Sequence, residues 1–365
     1  MVVQFNGYRE SLVNLFLIIR SVVRVLLSGK FILGDEVVKF ENNISEYISN
    51  GEMYCVSVNS CTDAIYLSLK LKGIGKGDEV IVQSNTAIPT VNAIVMAGAL
   101  PVFVDVDNTH QMDIDKVGEL VTEKTSAIVL VHLFGYSTNV KKLYNFCKEK
   151  GIVLIEDCAQ SFGGEYEGKK LGTFGDLSCF SFYPTKVLGG YGDGGAIMCR
   201  TKEEMIRLKM MRFHGINDRG YYAEEFAFNT MNSRMDEIHA SILNSKLKNI
   251  DKYINIRRSI GKFYNENITN ETIIKVFNGE SVYYNYPIRV NDRDKLIKYL
   301  KDNGVMVGVN YPYPIHEMVG YAGLCKCGDL KNTESFAKTI VNLPVYPTLR
   351  KSELNKIVKL LNNFK

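Results

Sequence analysis

The sequence predicts an α/β fold: a mainly parallel central sheet covered by helices, with a smaller C-terminal α+β domain behind it. Three observations carry that prediction. From Glu52 onward, short apolar runs rich in β-branched residues recur (EVIVQS, LPVFVDV, SAIVLVHLF, GIVLIED, LSCFSF, GAIMCR). Longer stretches with helical spacing of apolar residues, such as SCTDAIYLSLKLKG and NVKKLYNFCKEKG, separate them. Buried strands alternating with helices are the pattern of a parallel sheet covered on both faces. After about Lys248 the texture changes, which divides the chain into a large domain, 1–248, and a small one, 249–365.

Taken in order, SLVNLFLIIRSVVRVLLSG is the first apolar segment, interrupted by Arg20 and Arg24. Residues four apart share a helix face, so the segment reads as an amphipathic, core-packing helix and not as a membrane span or signal. The strands and helices of the large domain follow. In the small domain, KNIDKYINIRRSIGKFYNENI reads as a charged helix, SVYYNYPIRV as a strand, DRDKLIKYLKDNG as a helix and SELNKIVKLLNNF as the closing helix.

A chain of 365 residues, 46% of them apolar, is long enough to bury a core in two such units. The net charge of +4 is spread thinly and contains no basic block, so nucleic acid is not indicated. Eight scattered cysteines with no signal peptide imply reduced thiols and a cytoplasmic location. The pair Cys325 and Cys327 has no second ligand pair nearby, which argues against a zinc site.

Ligands of open parallel sheets gather at the carboxyl ends of strands. The polar residues there are Asn59 to Asp63, Asn85 and Thr86, His132, Asp157 and Gln160, and Ser181 to Lys186. GYGDGG, from Gly190 to Gly195, matches GxGxxG, but an apolar strand follows it where a dinucleotide fingerprint needs a helix N-terminus. A hairpin or tight return with several positive-φ positions explains the glycines. Lys186, just upstream, is either a solvated loop lysine or a cleft lysine whose lowered pKa suits Schiff-base chemistry. Asp157 is either a helix cap or a buried carboxylate awaiting a cation, such as a protonated pyridine nitrogen.

Together IEDCAQSFGG, GTFGDLSCFSFYPTKVLGGYGDGGA, NSCTDA, FHG, FNTMNSRMDEIHASIL, YPYPIH and NLPVYP, in this order, resemble the sugar aminotransferases of the DegT/StrS group. These are pyridoxal phosphate enzymes of the aspartate aminotransferase fold (fold type I). The resemblance implies that Lys186 bonds to the cofactor and acts as the catalytic base, that Asp157 pairs with the pyridine nitrogen, and that Gln160 lies near the ring hydroxyl. It places the cofactor phosphate on the amides of Cys61 and Thr62 with Ser181 as a further contact. It brings Asn232 in from a neighbouring subunit of a homodimer, and gives Arg234 a structural role. Tyr183 and His316 match positions that meet the sugar or its phosphates; each is otherwise a packed aromatic or a satisfied core histidine.

Three positions depart from the family pattern. Cys61 stands where glycine is usual, Ala87 where many members stack an aromatic on the pyridoxal ring, and Val187 where asparagine often follows the lysine. A small residue at 87 forgoes stacking of roughly 0.5–1.5 kcal/mol. The reaction the resemblance implies moves an amino group from L-glutamate to a nucleotide-linked ketosugar, through pyridoxamine phosphate. SNTAIPT and FSFYPTK look nearer to members that aminate C3 of a dTDP-linked 6-deoxyhexose for surface polysaccharide than to those that aminate C4. A pyridoxamine-dependent sugar dehydratase would have histidine at position 186; an NAD-dependent oxidoreductase rests on GYGDGG alone.

Overall fold

The computed structural model describes residues 2–6, 14–217, 220–222, 229–277, 279 and 281–365. Its centre is an eight-stranded sheet. The strands are β1 (Tyr54–Val58), β2 (Glu79–Gln83), β3 (Leu100–Val104), β4 (Thr125–Val131), β5 (Val153–Asp157), β8 (Leu177–Ser181), β9 (Gly195–Cys199) and β12 (Lys326–Cys327); β6 (Glu165–Tyr166) and β7 (Lys169–Lys170) form a separate hairpin. The order across the sheet is β1-β9-β8-β5-β4-β2-β3-β12. All neighbours are parallel except β9, which runs antiparallel to both β1 and β8.

The sheet is buried on both faces because its strands are apolar at successive positions. Val80 and Val82 pack into one apolar cluster while Ile81, between them, packs into the other; Ala127, Val129 and Val131 alternate in the same way with Ile128 and Leu130. Side chains along a strand point to opposite faces in turn, so the two clusters are the two sides of the sheet. The helices covering it include α1 (Leu15–Ser28), α2 (Asp35–Ser49), α3 (Cys61–Leu71), α4 (Ile88–Met96), α5 (Ile114–Leu120), α6 (Val140–Lys150), α7 (Lys202–Met211) and α8 (Glu237–Leu247).

Further along the chain, α9 (Ile250–Asn267), α10 (Arg293–Asp302), α11 (Lys331–Thr339) and α12 (Lys351–Asn363) accompany a three-stranded antiparallel sheet. That sheet has the order β10 (Ile274–Lys275), β11 (Tyr286–Arg289), β13 (Ile340–Leu343). Between its strands the chain returns to the large sheet, where β12 extends the edge at β3 and Lys326 pairs with Glu79.

Three expectations need correction. α1 forms, and Arg24 pairs with Glu36 at 2.9 Å, but it packs into the core only along the narrow face that holds Ser21 and Val25. Its other apolar residues face outward, with Phe16 75% and Leu27 83% exposed. SVYYNYPIRV is a strand only over Tyr286–Arg289, because Tyr283 sits at φ 46° and takes the chain out of the extended region. GYGDGG does join antiparallel neighbours β8 and β9, yet none of its glycines has positive φ. They are needed for close approach instead: a Cβ on Gly190 would lie 2.1 Å from the His239 ring, and one on Gly195 would lie 2.4 Å from the Ser60 carbonyl carbon.

Candidate active site

The carboxyl ends of β5 and β8 and the turns after β1 and β2 surround one cavity of about 320 Å3. Its walls include Cys61, Thr62, Thr86, Ala87, Asp157, Gln160, Ser181, Tyr183, Lys186 and Tyr284. Of the ten residues to which the resemblance gives a catalytic, cofactor or substrate position, eight therefore meet here, all but Asn232 and His316.

One wall is the start of α3. Ser60 caps that helix, its Oγ accepting from the Asp63 amide at 3.1 Å. The amides of Cys61 and Thr62 belong to the first turn, where N–H groups have no acceptor inside the helix, and the helix dipole adds partial positive charge. The wall is held in place from behind: Asn59 N donates to Ser233 Oγ at 3.0 Å, and that hydroxyl donates to Asp63 Oδ2 at 2.7 Å. Such a helix start suits an anion.

Asp157 ends β5 and is 2% exposed. Its Oδ1 accepts from the Ala159 amide at 3.0 Å and faces the Cys61 thiol at 3.9 Å; its Oδ2 accepts from the Thr90 hydroxyl at 2.7 Å. All three donors are neutral, and among the described residues no cation pairs with this carboxylate. A buried carboxylate without a counter-charge is costly, so the cavity is suited to a cationic group at this wall. Burial, then the Asp157 carboxylate, push the Cys61 thiol well above its usual range, so it stays protonated and neutral.

Gln160 is fixed at both ends of its amide. Oε1 accepts from Phe134 N at 2.7 Å, and Nε2 donates to the Tyr311 hydroxyl at 3.0 Å. Lys186 lies opposite, in a turn closed by its own amide donating to Tyr183 O at 2.9 Å. Its Nζ sits 4.8 Å above the Tyr284 ring, and the Tyr284 hydroxyl meets Thr185 Oγ1 at 3.1 Å. Ser181 ends β8 and accepts weakly from Tyr183 N at 3.4 Å. Ala87 caps α4 without a side-chain hydrogen bond, and the neighbouring Thr86 Oγ1 is buried with no hydrogen-bond partner among the described residues.

These features fit pyridoxal phosphate. The helix start can take a phosphate, Asp157 a protonated ring nitrogen, and Lys186 a covalent bond to the aldehyde carbon.

Two sequence candidates lie outside the cavity walls. Asn232 Oδ1 accepts from Arg234 Nε at 2.9 Å, and Arg234 stacks 4.6 Å from Phe213. His316 Nδ1 meets Ser84 Oγ at 2.8 Å while Nε2 approaches Glu334 at 3.5 Å, tying the chain after Tyr311 to the end of β2. Val187 is core. Thr90 ends SNTAIPT and Tyr311 opens YPYPIH, yet neither of these nor Tyr284 has a role assigned from the sequence. Their only signals are indirect, Thr90 lying one short turn after SNTA and the two tyrosines in aromatic-rich loops.

His132, also singled out, is not part of this cavity. Its Nε2 bonds Glu156 at 2.9 Å, and Glu156 also accepts from the amides of Gly172, Phe174 and Gly175 at 2.9, 2.8 and 2.7 Å. This buried hub fixes the 172–175 loop beside β5.

Comparison with known proteins agrees with the geometry. The profile of the DegT/DnrJ/EryC1/StrS aminotransferase family matches residues 17–362. A dTDP-3-amino-3,4,6-trideoxy-alpha-D-glucose transaminase of Micromonospora megalomicea subsp. nigra is 39% identical, over 94% of this chain and 93% of its own. A dTDP-3-amino-3,6-dideoxy-alpha-D-galactopyranose transaminase of Aneurinibacillus thermoaerophilus is 36% identical, over 93% of each. The crystal structure of S. venezuelae DesV in complex with a ketimine intermediate superimposes with a TM-score of 0.93 at 32% identity, covering 99% of this chain and 98% of that one.

Proposed function

We propose a specific reaction from one premise: the chain belongs to the DegT/DnrJ/EryC1/StrS aminotransferase family and is a sugar aminotransferase dependent on pyridoxal phosphate. It takes the amino group of L-glutamate and places it on C3 of a dTDP-linked 3-keto-6-deoxyhexose. The product is a 3-amino-3,6-dideoxy sugar for surface polysaccharide. The observation that supports C3 and dTDP is that two relatives matching over nine-tenths of the chain both carry dTDP-3-amino sugars in their names.

When bound, the cofactor supplies an electron sink for the charge left on carbon when a proton departs. The chain's residues do the rest. The Cys61 and Thr62 amides and the Ser181 hydroxyl hold the phosphate. Asp157 keeps a proton on the ring nitrogen, and Gln160, locked between Phe134 and Tyr311, positions the ring hydroxyl. Lys186 Nζ removes the proton from the α-carbon of the amino donor, and in the second half-reaction delivers one to the sugar carbon that carried the keto oxygen. Tyr183, half-exposed at the cavity mouth, faces the incoming sugar, and His316 is a further contact to the sugar or its phosphates.

The enzyme works as a homodimer in which Asn232 reaches the partner's site. The outward apolar face of α1 supports that, since a surface of Leu15, Phe16, Ile19, Val23, Leu26 and Leu27 gains from being covered. The large and small domains divide near residue 248. Eight free thiols support a cytoplasmic location, and among the described residues no helix is long and apolar enough to cross a membrane.

The test is a half-reaction. Enzyme converted by glutamate to the pyridoxamine form is mixed with 3-keto and 4-keto dTDP-sugars, and return of the visible cofactor band is followed. Recovery with the 3-keto sugar is expected; recovery only with the 4-keto sugar overturns C3, and failure of glutamate to bleach the band overturns the donor.

A further inference from the structure

We propose that Thr90 is a positioning residue for the cofactor, acting through Asp157. The inference rests on the reading that Asp157 holds the ring nitrogen's proton.

Three observations lead to it. The Thr90 hydroxyl donates to Asp157 Oδ2 at 2.7 Å, a short bond to a carboxylate. Both groups are 2% exposed, so water does not compete for either. Thr90 stands in the first turn of α4, its backbone amide donating to Ala87 O at 3.1 Å, so its Cα is fixed by the element that also forms the wall at Ala87. A threonine hydroxyl has one proton to give, and here it is committed to one oxygen.

The consequence follows from what an ionised carboxylate needs. Asp157 can rotate about its last side-chain bond unless both oxygens are held. Ala159 N holds Oδ1 from the loop side, and Thr90 holds Oδ2 from the helix side. With both in place the carboxylate plane is set, and each oxygen keeps a second lone pair for another donor. Without the Thr90 bond, Oδ2 is free to leave that plane. A carboxylate turned out of that plane holds the ring nitrogen's proton less well. Cys61, on the opposite side at 3.9 Å, is too distant and too weak a donor to replace this bond.

The chain α4 forms has a second anchor. Asn92 Oδ1, two residues on, accepts from the Tyr321 hydroxyl, so the helix start is braced from the C-terminal part of the chain as well. Thr90 therefore links the placement of α4 to the orientation of the Asp157 carboxylate.

The experiment compares Thr90→Val, which keeps the shape and loses the hydroxyl, with Thr90→Ser, which keeps the hydroxyl. Dissociation constants for pyridoxal phosphate are measured by equilibrium fluorescence titration, and the visible band of each loaded protein is titrated with pH. A hydrogen bond to a charged group is worth about tenfold or more in an equilibrium constant. Thr90→Val should weaken cofactor binding about tenfold and move the band's titration midpoint, while Thr90→Ser should stay within about twofold of wild type with the midpoint unmoved. In an Asp157→Asn background, Thr90→Val should add nothing, since the bond's acceptor charge is gone. If Thr90→Val does not fold, Thr90→Ala against Thr90→Ser gives the same contrast.

Equal binding and an unmoved midpoint in the hydroxyl-free variant, with Asp157→Asn impaired, overturn the role of Thr90 alone. Full additivity of Thr90→Val with Asp157→Asn also overturns it, because a merely structural loss would persist. An Asp157→Asn protein that binds and titrates as wild type overturns the underlying reading of Asp157.

Discussion

Replacing Gly195 with alanine should damage the wall proposed to hold the phosphate without touching any polar group in it. Gly195 opens β9 and is paired on both sides, with Val58 of β1 and with Ser181 of β8, so the strand cannot swing away from either neighbour. A Cβ there would lie 2.4 Å from both the carbonyl carbon and oxygen of Ser60 and 2.8 Å from Cys61 N. Carbon needs about 3.5 Å or more from a non-bonded heavy atom. The obstructing atoms are backbone, so the start of α3 must move back by about 1 Å, the difference between the separation carbon needs and the one the geometry allows. Overpacking of this kind costs about 1–3 kcal/mol. The displaced atoms include the amide proposed to hold the phosphate, and a displacement of that size lengthens a 2.9 Å hydrogen bond beyond useful range. Gly195→Ala should therefore lose about 1–3 kcal/mol in urea unfolding of the apoprotein and bind pyridoxal phosphate at least tenfold more weakly. Unfolding within about 0.5 kcal/mol of wild type, the range of ordinary surface changes, together with unchanged cofactor affinity would refute the reasoning.

Other consequences can be measured separately. Burial, then the Arg289 charge, hold His110 neutral with its pKa lowered from 6.5 to about 3. The unfolded chain therefore binds more protons below pH 6.5, and stability should fall with acid by about 1.4 kcal/mol per pH unit from this residue. His239, lowered in the same direction by burial first, adds to that slope. His110→Asn, which tolerates the positive φ of 64° at this position, should flatten the urea-unfolding slope between pH 6 and 5 by about one proton; an unchanged slope would rule out a neutral buried His110. Glu237 accepts from the amides of Gly34, Glu36 and Val37, each at 2.8 Å, and so closes the start of α2. Glu237→Ala strands three donors and should cost about 3 kcal/mol or more in chemical denaturation; a loss under about 1 kcal/mol would contradict that. Iodoacetamide at pH 8 should label Cys61 of the apoprotein at least tenfold more slowly than free glutathione, followed by peptide mass mapping, because its thiol is kept protonated.

How far the sequence could be read depended on whether a feature is local. The runs EVIVQS, SAIVLVHLF and GIVLIED became β2, β4 and β5 because consecutive apolar residues serve two buried faces at once, and that pattern is written in the chain itself. Lys186, Asp157, Gln160, Ser181, Cys61, Thr62, Ala87 and Tyr183 all stand at strand ends or a few residues past them, and the topology of a parallel sheet brings such positions to one rim. Thr90 and Tyr311 escaped notice because their importance is relational. One matters through a carboxylate 67 positions away and the other through an amide 151 positions away. Periodicity along α1 revealed an apolar face but not what covers it. In GYGDGG composition was misleading in a different way: a glycine wanted for its angles and one wanted for its lack of a Cβ look identical until the His239 ring and the Ser60 backbone are seen against them.

The central claim is that Lys186 is the residue bonded to pyridoxal phosphate in a sugar aminotransferase. Borohydride reduction of the loaded protein followed by peptide mass mapping tests it directly. The account predicts a single pyridoxyl label, on Lys186, in the peptide containing Tyr183 and Val187, and none when glutamate has first converted the cofactor. A label on another lysine, or an unlabelled Lys186 in protein that shows the visible cofactor band, would contradict it.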